Sequence, residues 1–147
     1  MVLKYILATL HLLALAIGIA AVYARWQALR RLGHGGAVQQ VFEADNWYGV
    51  AALLWVGTGL WRAFGGVEKG TEHYLESHWF IGKMGLFLLV LLLELLPMVT
   101  LVRWRMARMR HQALNTARAP LLARLSLAQV PLLLLMVFMA TALARGL

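Results

Sequence analysis

Apolar residues dominate four stretches of this chain, about 3–24, 47–64, 79–102 and 120–144, and polar residues collect between them. The third stretch contains an unbroken apolar run from Leu86 to Leu93. A bilayer's hydrocarbon core is roughly 30 Å thick and a helix rises ~1.5 Å per residue, so about 20 apolar residues cross it. Lipid offers the backbone no hydrogen-bond partner, so segments of this kind must be helical. The pattern predicts an all-α polytopic membrane protein, a four-transmembrane-helix bundle forming a single domain over residues 1–147.

The segments between the spans read as loops at 25–46 and 103–119, with a shorter polar stretch from Gly65 to Ser77. Gly33-His34-Gly35-Gly36 is a turn signal. Gln39 to Asn46 reads as a short helical lead-in to the second span, since Asp45 or Asn46 is placed to cap the helix that follows, and Ser77 is placed to cap the third. Pro120 suits the first turn of the fourth helix. Pro97 and Pro131 fall inside spans, where proline removes a backbone donor and favours a kink. Met106, Met109 and Leu114 interrupt the basic third loop, which is expected to prolong the third helix along the interface. Small residues form stripes on the first two spans: Ala14, Gly18 and Ala21 follow His11, and Gly49, Ala52 and Gly59 lie on one face of the second. Such residues let helices approach closely in lipid, and packing of these two spans is the simple reading.

Composition supports the pattern, with 62% hydrophobic residues and a mean hydropathy of +0.72. There is no cysteine, which excludes disulfides, thiolate catalysis and Cys-ligated metals. The net charge of +8 does not indicate nucleic acid, because the basic residues lie beside the spans, where anionic lipid headgroups attract them. Arg25, Arg30, Arg31, Arg103, Arg105, Arg108, Arg110 and Arg118 lie on one side, and Lys4, Arg62, Lys69 and Arg145 on the other, with Glu68, Glu72 and Glu76. The positive-inside rule then places the first and third loops in the cytoplasm and both termini on the outer, periplasmic side of a bacterial inner membrane. Trp26, Trp47, Trp61, Trp79 and Trp104 occur at span ends, as interfacial anchors do. The first stretch meets Arg25 without a small-residue cleavage site and reads as a retained helix rather than a signal peptide.

Ionisable groups within a span are costly and often functional. His11, Lys83, Glu94 and Arg124 are such groups, and Gln129 adds a buried amide. Helical rise places His11 about 12 Å and Lys83 about 6 Å from the outer side, close enough for their side chains to approach. Glu94 follows Lys83 by eleven residues on the same face, near the inner leaflet. Arg124 enters the fourth span from the cytoplasmic side at a similar depth, so an intramembrane Glu94–Arg124 ion pair is expected. Snorkelling to water is the alternative for Lys83 and Arg124, and an interhelical hydrogen bond is the simple role for Gln129. His11 can donate to a neighbouring carbonyl or serve as a ligand. Met136 shares its depth, which allows a His11/Met136 or single-His11 site for haem b, and no other metal site is expected. His78 is a poorer match in depth, and His34 and His111 lie on the far side, so a bis-histidine ladder is not expected.

Ala44-Asp45, Tyr48-Gly49, Thr58-Gly59-Leu60 with Arg62, Lys69-Gly70, Tyr74, Phe80 with Lys83, Pro97 and Trp104-Arg105 resemble a bacterial family of small four-span membrane proteins defined by a domain of unknown function. His11-Leu12-Leu13-Ala14 also fits that family. The resemblance implies fold and topology, not an activity. Leu10-His11-Leu12-Leu13 and the segment from Trp79 to Lys83 are more distantly similar to four-span protoporphyrinogen oxidases and copper-resistance D-type proteins. That likeness implies a haem or porphyrin site near His11 and Lys83. The chain departs from those oxidases after the first span, where Tyr23-Ala24-Arg25 is the nearest counterpart of their arginine-tyrosine pattern.

Three functional readings follow. The first is a non-enzymatic or accessory inner-membrane component, working as a homo-oligomer or within a larger membrane complex. The second is a haem-, quinone- or porphyrin-linked redox protein using His11, with Lys83 and Arg62 holding propionates or an anionic substrate. The third is a small transporter using Glu94. The first predicts that the polar residues pair with one another. The second predicts an open pocket between the outer halves of the first, third and fourth spans.

Overall fold

The computed structural model describes residues 2–64 and 78–145, without the side chains of residues 62–64, 78–80 and 143–144. Four helices make up the described chain: α1 (Val2–Leu32), α2 (Val38–Phe64), α3 (His78–Met109) and α4 (Ala119–Ala144). α1 packs against α2 and α4, and α4 packs against α3. Long side chains close the remaining side, where Trp55 of α2 stacks on Phe87 of α3 with ring centroids 5.2 Å apart.

By length and composition, Val2–Leu32, Ile81–Met109 and Ala119–Ala142 are long and apolar enough to cross a membrane. α2 is not among these three, which departs from the four apolar spans expected. Its apolar stretch is diluted by Trp47, Tyr48, Trp55 and Trp61 and by Gly49, Gly57, Thr58 and Gly59. The outward faces are apolar: Leu13 of α1, Leu53 of α2, Leu92 of α3 and Phe138 of α4 are all well exposed. A soluble monomer rarely shows such a continuous apolar surface, whereas a membrane protein presents it to acyl chains.

Helices extend beyond the expected spans at the basic end of the molecule. α1 continues eight residues past Ala24, and the lead-in expected from Gln39 to Asn46 is continuous with α2, which starts nine residues before Trp47, so the first loop shrinks to 33–37. The physical reason is a second core. Ala28 and Leu29 of α1, Val41 and Phe42 of α2, Leu101 and Trp104 of α3, and Leu122 and Ala123 of α4 pack together there. Trp104 is therefore buried instead of anchoring at the interface, and its indole N–H donates to the Asn115 carbonyl at 3.1 Å. The expected extension of the third helix into the basic segment 103–119 is observed, since α3 runs to Met109.

Glycine is required at one turn. Gly35 has φ +87°, and a Cβ on Gly36 would lie 2.7 Å from the Arg31 Cβ. The Gly36 N–H donates to the Arg31 carbonyl, which closes the end of α1. α3 ends in a Schellman arrangement, with Gln112 N–H bonded to the Ala107 carbonyl and His111 N–H to that of Arg108. His111 takes the left-handed position there, at φ 55°.

Candidate functional site

Two polar layers cross the helix packing, separated by an apolar one. Arg25 and His11, their contributions from α1, are fourteen residues apart, or about 21 Å of helix.

The layer at the basic end is built on Arg25, whose side chain is fully buried. Its Nη1 donates to Asp45 Oδ1 at 2.9 Å and to Glu94 Oε2 at 2.8 Å, its Nη2 donates to Glu94 Oε1 at 2.6 Å, and its Nε donates to Ser126 Oγ at 3.0 Å. The Glu94 contact is a two-pronged guanidinium–carboxylate pair, the strongest common form of charge-assisted hydrogen bonding. Gln129 Nε2 donates to Glu94 Oε1 at 3.1 Å, and the Tyr48 hydroxyl donates to Gln129 Oε1. Arg105 Nη2 donates to Asp45 Oδ2 at 3.0 Å. The guanidinium of Arg25 also lies 4.9 Å from the Tyr48 ring centroid. Every helix contributes: Arg25 from α1, Asp45 and Tyr48 from α2, Glu94 and Arg105 from α3, Ser126 and Gln129 from α4. Two arginines face two carboxylates, so the layer's formal charge sums to zero.

Glu94 therefore meets Arg25 and not Arg124 as expected. Arg124 is exposed and forms no ion pair among the described residues. The reason is rotation about α4: Ser126 and Gln129 face inward, and Arg124 lies on the other side of the helix. Arg25, Asp45 and Tyr48 were not singled out as site residues. The first had been assigned to a loop and the second to a cap.

The second layer gathers His11, Thr58 and Lys83. His11 is 2% exposed, with Nδ1 2.9 Å from Thr58 Oγ1 and Nε2 3.2 Å from Lys83 Nζ. The Thr58 hydroxyl donates to the Leu54 carbonyl at 2.6 Å, so a proton on His11 Nδ1 completes the chain towards Thr58. The imidazole stacks on Trp55 with centroids 4.9 Å apart, and Lys83 Nζ lies 5.0 Å from the Trp55 ring centroid. Gly59 makes this approach possible, because a Cβ there would sit 3.0 Å from His11 Cε1. The expected proximity of His11 and Lys83 is thus observed, and Lys83 points inward instead of snorkelling. The small-residue stripe of α1 does face α2, with Gly18 against the Ala51 Cβ at 3.6 Å. On α2 the face is Ala51, Thr58 and Gly59, while Gly49 and Ala52 are exposed.

Met136 is buried in the apolar layer between the two, with Ala14, Tyr48, Trp55, Val90 and Leu133. With Trp55 and Gly18 it lines a cavity of about 60 Å³. Sites for small molecules enclose about 300 Å³ or more, so a porphyrin does not fit beside Met136 in this packing. An iron atom at His11 Nε2 would also displace Lys83. The residues named for haem b therefore do not match that group as arranged. The Arg62 side chain and residues 65–77, with Ser77, Lys69 and Glu72, lie outside the described residues. The indole N–H of Trp55 is buried with no partner among the described residues.

Three membrane-length apolar helices, packed with a fourth around paired intramembrane charges, define an all-helical integral membrane protein. The family model described as Predicted membrane protein (DUF2214) matches residues 3–147, and the chain belongs to that family. No curated protein and no solved structure matches it. The nearer resemblance read from the sequence is thereby established, while the likeness to protoporphyrinogen oxidases and copper-resistance proteins gains no support.

Proposed function

We propose that this protein is a non-enzymatic, accessory component of a bacterial inner membrane, in which the intramembrane charges hold the helices together rather than perform chemistry. The observation that carries the reading is the closed Arg25 layer. All three guanidinium nitrogens have oxygen partners, and both Glu94 oxygens accept hydrogen bonds from Arg25 or Gln129. A transport site at Glu94 would need an oxygen free to exchange a proton or cation, and a redox site at His11 would need a ring nitrogen not already facing Lys83. Buried ion pairs of this kind are better attested as devices that fix one arrangement than as net stabilisers.

α2 crosses the bilayer with the other three helices. Asp45 reaches the Arg25 layer and Thr58 the His11 layer, so α2 follows α1 through the same depth despite its lower hydropathy. The surplus of arginine near 25–46 and 103–119 favours a cytoplasmic position for that end and an external one for both termini.

The test combines three measurements on purified protein. Absorption spectra after incubation with haemin should show no Soret band that depends on His11. Proteoliposomes should show no proton or cation flux that depends on Glu94. Arg25→Gln should lower the thermal unfolding midpoint in detergent. A Soret band abolished by His11→Ala, or a flux abolished by Glu94→Gln without loss of stability, would overturn the proposal.

A further inference from the structure

A second cavity opens at the basic end, between the last turns of α1 and the start of α4. It encloses about 570 Å³, and Trp26, Arg30, His34, Thr116 and Arg124 line its polar rim. Leu29, Pro120 and Ala123 form its apolar side. None of the described residues lining it is acidic. Arg30 lies over the Trp26 ring at 5.1 Å, which leaves its guanidinium at the surface. Arg124, which the closed layer does not use, is the second cation. The N-terminal end of α4 adds the positive pole of a helix dipole to the same corner.

We propose that this cavity binds the phosphate headgroup of an anionic phospholipid. The volume falls within the range of about 300–1,000 Å³ that encloses small-molecule groups. Two arginines without a facing carboxylate complement one phosphodiester, which arginine recognises through paired N–H donors. The occupant is a lipid rather than a free anion because the cavity lies where two membrane-length helices reach their basic ends. Its apolar side, formed by Leu29, Pro120 and Ala123, offers contact to a glycerol backbone and the first methylenes of an acyl chain. Half-buried Trp26 has the amphipathic character of residues at headgroup level. The inference uses the membrane setting but not the Arg25 layer, so either can fail alone.

The experiment is native mass spectrometry of the full chain released from detergent micelles containing phosphatidylglycerol or phosphatidylcholine. Retention of one phosphatidylglycerol in preference to phosphatidylcholine is expected. Arg30→Gln with Arg124→Gln removes two charge-assisted contacts to the phosphate and should weaken retention on the order of 100-fold, roughly tenfold or more for each. The control pair Arg31→Gln with Arg110→Gln removes the same charge from exposed positions outside the cavity and should leave retention within about twofold. Equal losses in the two double variants would show a diffuse field instead of a site and would overturn the proposal. So would displacement of the lipid by millimolar inorganic phosphate or glycerol phosphate, which would mark a site for soluble anions. Unchanged retention in Arg30→Gln with Arg124→Gln would also overturn it. All four arginines are exposed, so folding is not at stake.

Discussion

The Arg25 and His11 layers differ in how their polar groups are matched. Around Arg25, opposite charges face one another, all four helices take part, and hydrogen bonds interlock them. Around His11, the imidazole meets the Thr58 hydroxyl and the Lys83 Nζ, and three helices contribute to these contacts among the described residues. The first layer is organised by ion pairing, and the contacts of the second among the described residues include a ring stack and a threonine hydroxyl. Opposite charges neutralise one layer, and an aromatic face lies against the polar groups of the other, about 21 Å away along α1.

That comparison can be broken most sharply at Arg25. Arg25→Gln leaves Glu94 and Asp45 without their buried cation, and a loss of about 3–5 kcal/mol is expected, read as a large fall in the unfolding midpoint. Adding Glu94→Gln should recover part of the loss, because neither charge is then stranded. An additive double variant would show that the two groups do not depend on each other. At the other layer, His11→Ala removes a buried ring stack and the contact with Thr58, and about 1–3 kcal/mol is expected. If His11→Ala costs more than Arg25→Gln, the ranking of the layers is reversed. Arg124→Gln should change stability by no more than about 0.5 kcal/mol and should be additive with Glu94→Gln, since the two residues do not meet. Apart from both layers, His111→Gly relieves a left-handed backbone and should raise stability by about 1 kcal/mol, detectable as a small rise in the midpoint.

Much of this arrangement was legible as spacing. His11, Ala14, Gly18 and Ala21 advance by three and four, and the next step of four reaches Arg25. On α3, Lys83, Phe87, Val90, Glu94, Pro97 and Leu101 follow the same rule, and on α4 Leu122, Ser126, Gln129, Leu133 and Met136 do. Continuing the stripe of α1 past Ala24 would have placed Arg25 inside. Treating the arginine as a boundary stopped the count one step early, because hydropathy marks where a helix leaves lipid and not where it stops packing. The partner of Glu94 was missed for a related reason. Depth along each helix follows from residue number alone, whereas the direction of Arg124 depends on which face of α4 meets α1, and the buried Ser126 and Gln129 carried that information. The His11–Lys83 meeting could be read because both residues lie on inward stripes at compatible depths. Hydropathy alone marks α2 weakly, because α2 gains its place partly from aromatic and glycine contacts, which hydropathy scores poorly.

Arg25 and Asp45 belong to one helical hairpin, and Glu94 belongs to the other. During synthesis the first hairpin can therefore enter the bilayer with its cation already compensated by its own carboxylate. Glu94 follows in the chain with its guanidinium partner on the other hairpin, so its carboxylate gains that partner only on docking. The bond between Arg25 and Glu94 therefore closes only when both hairpins are in place.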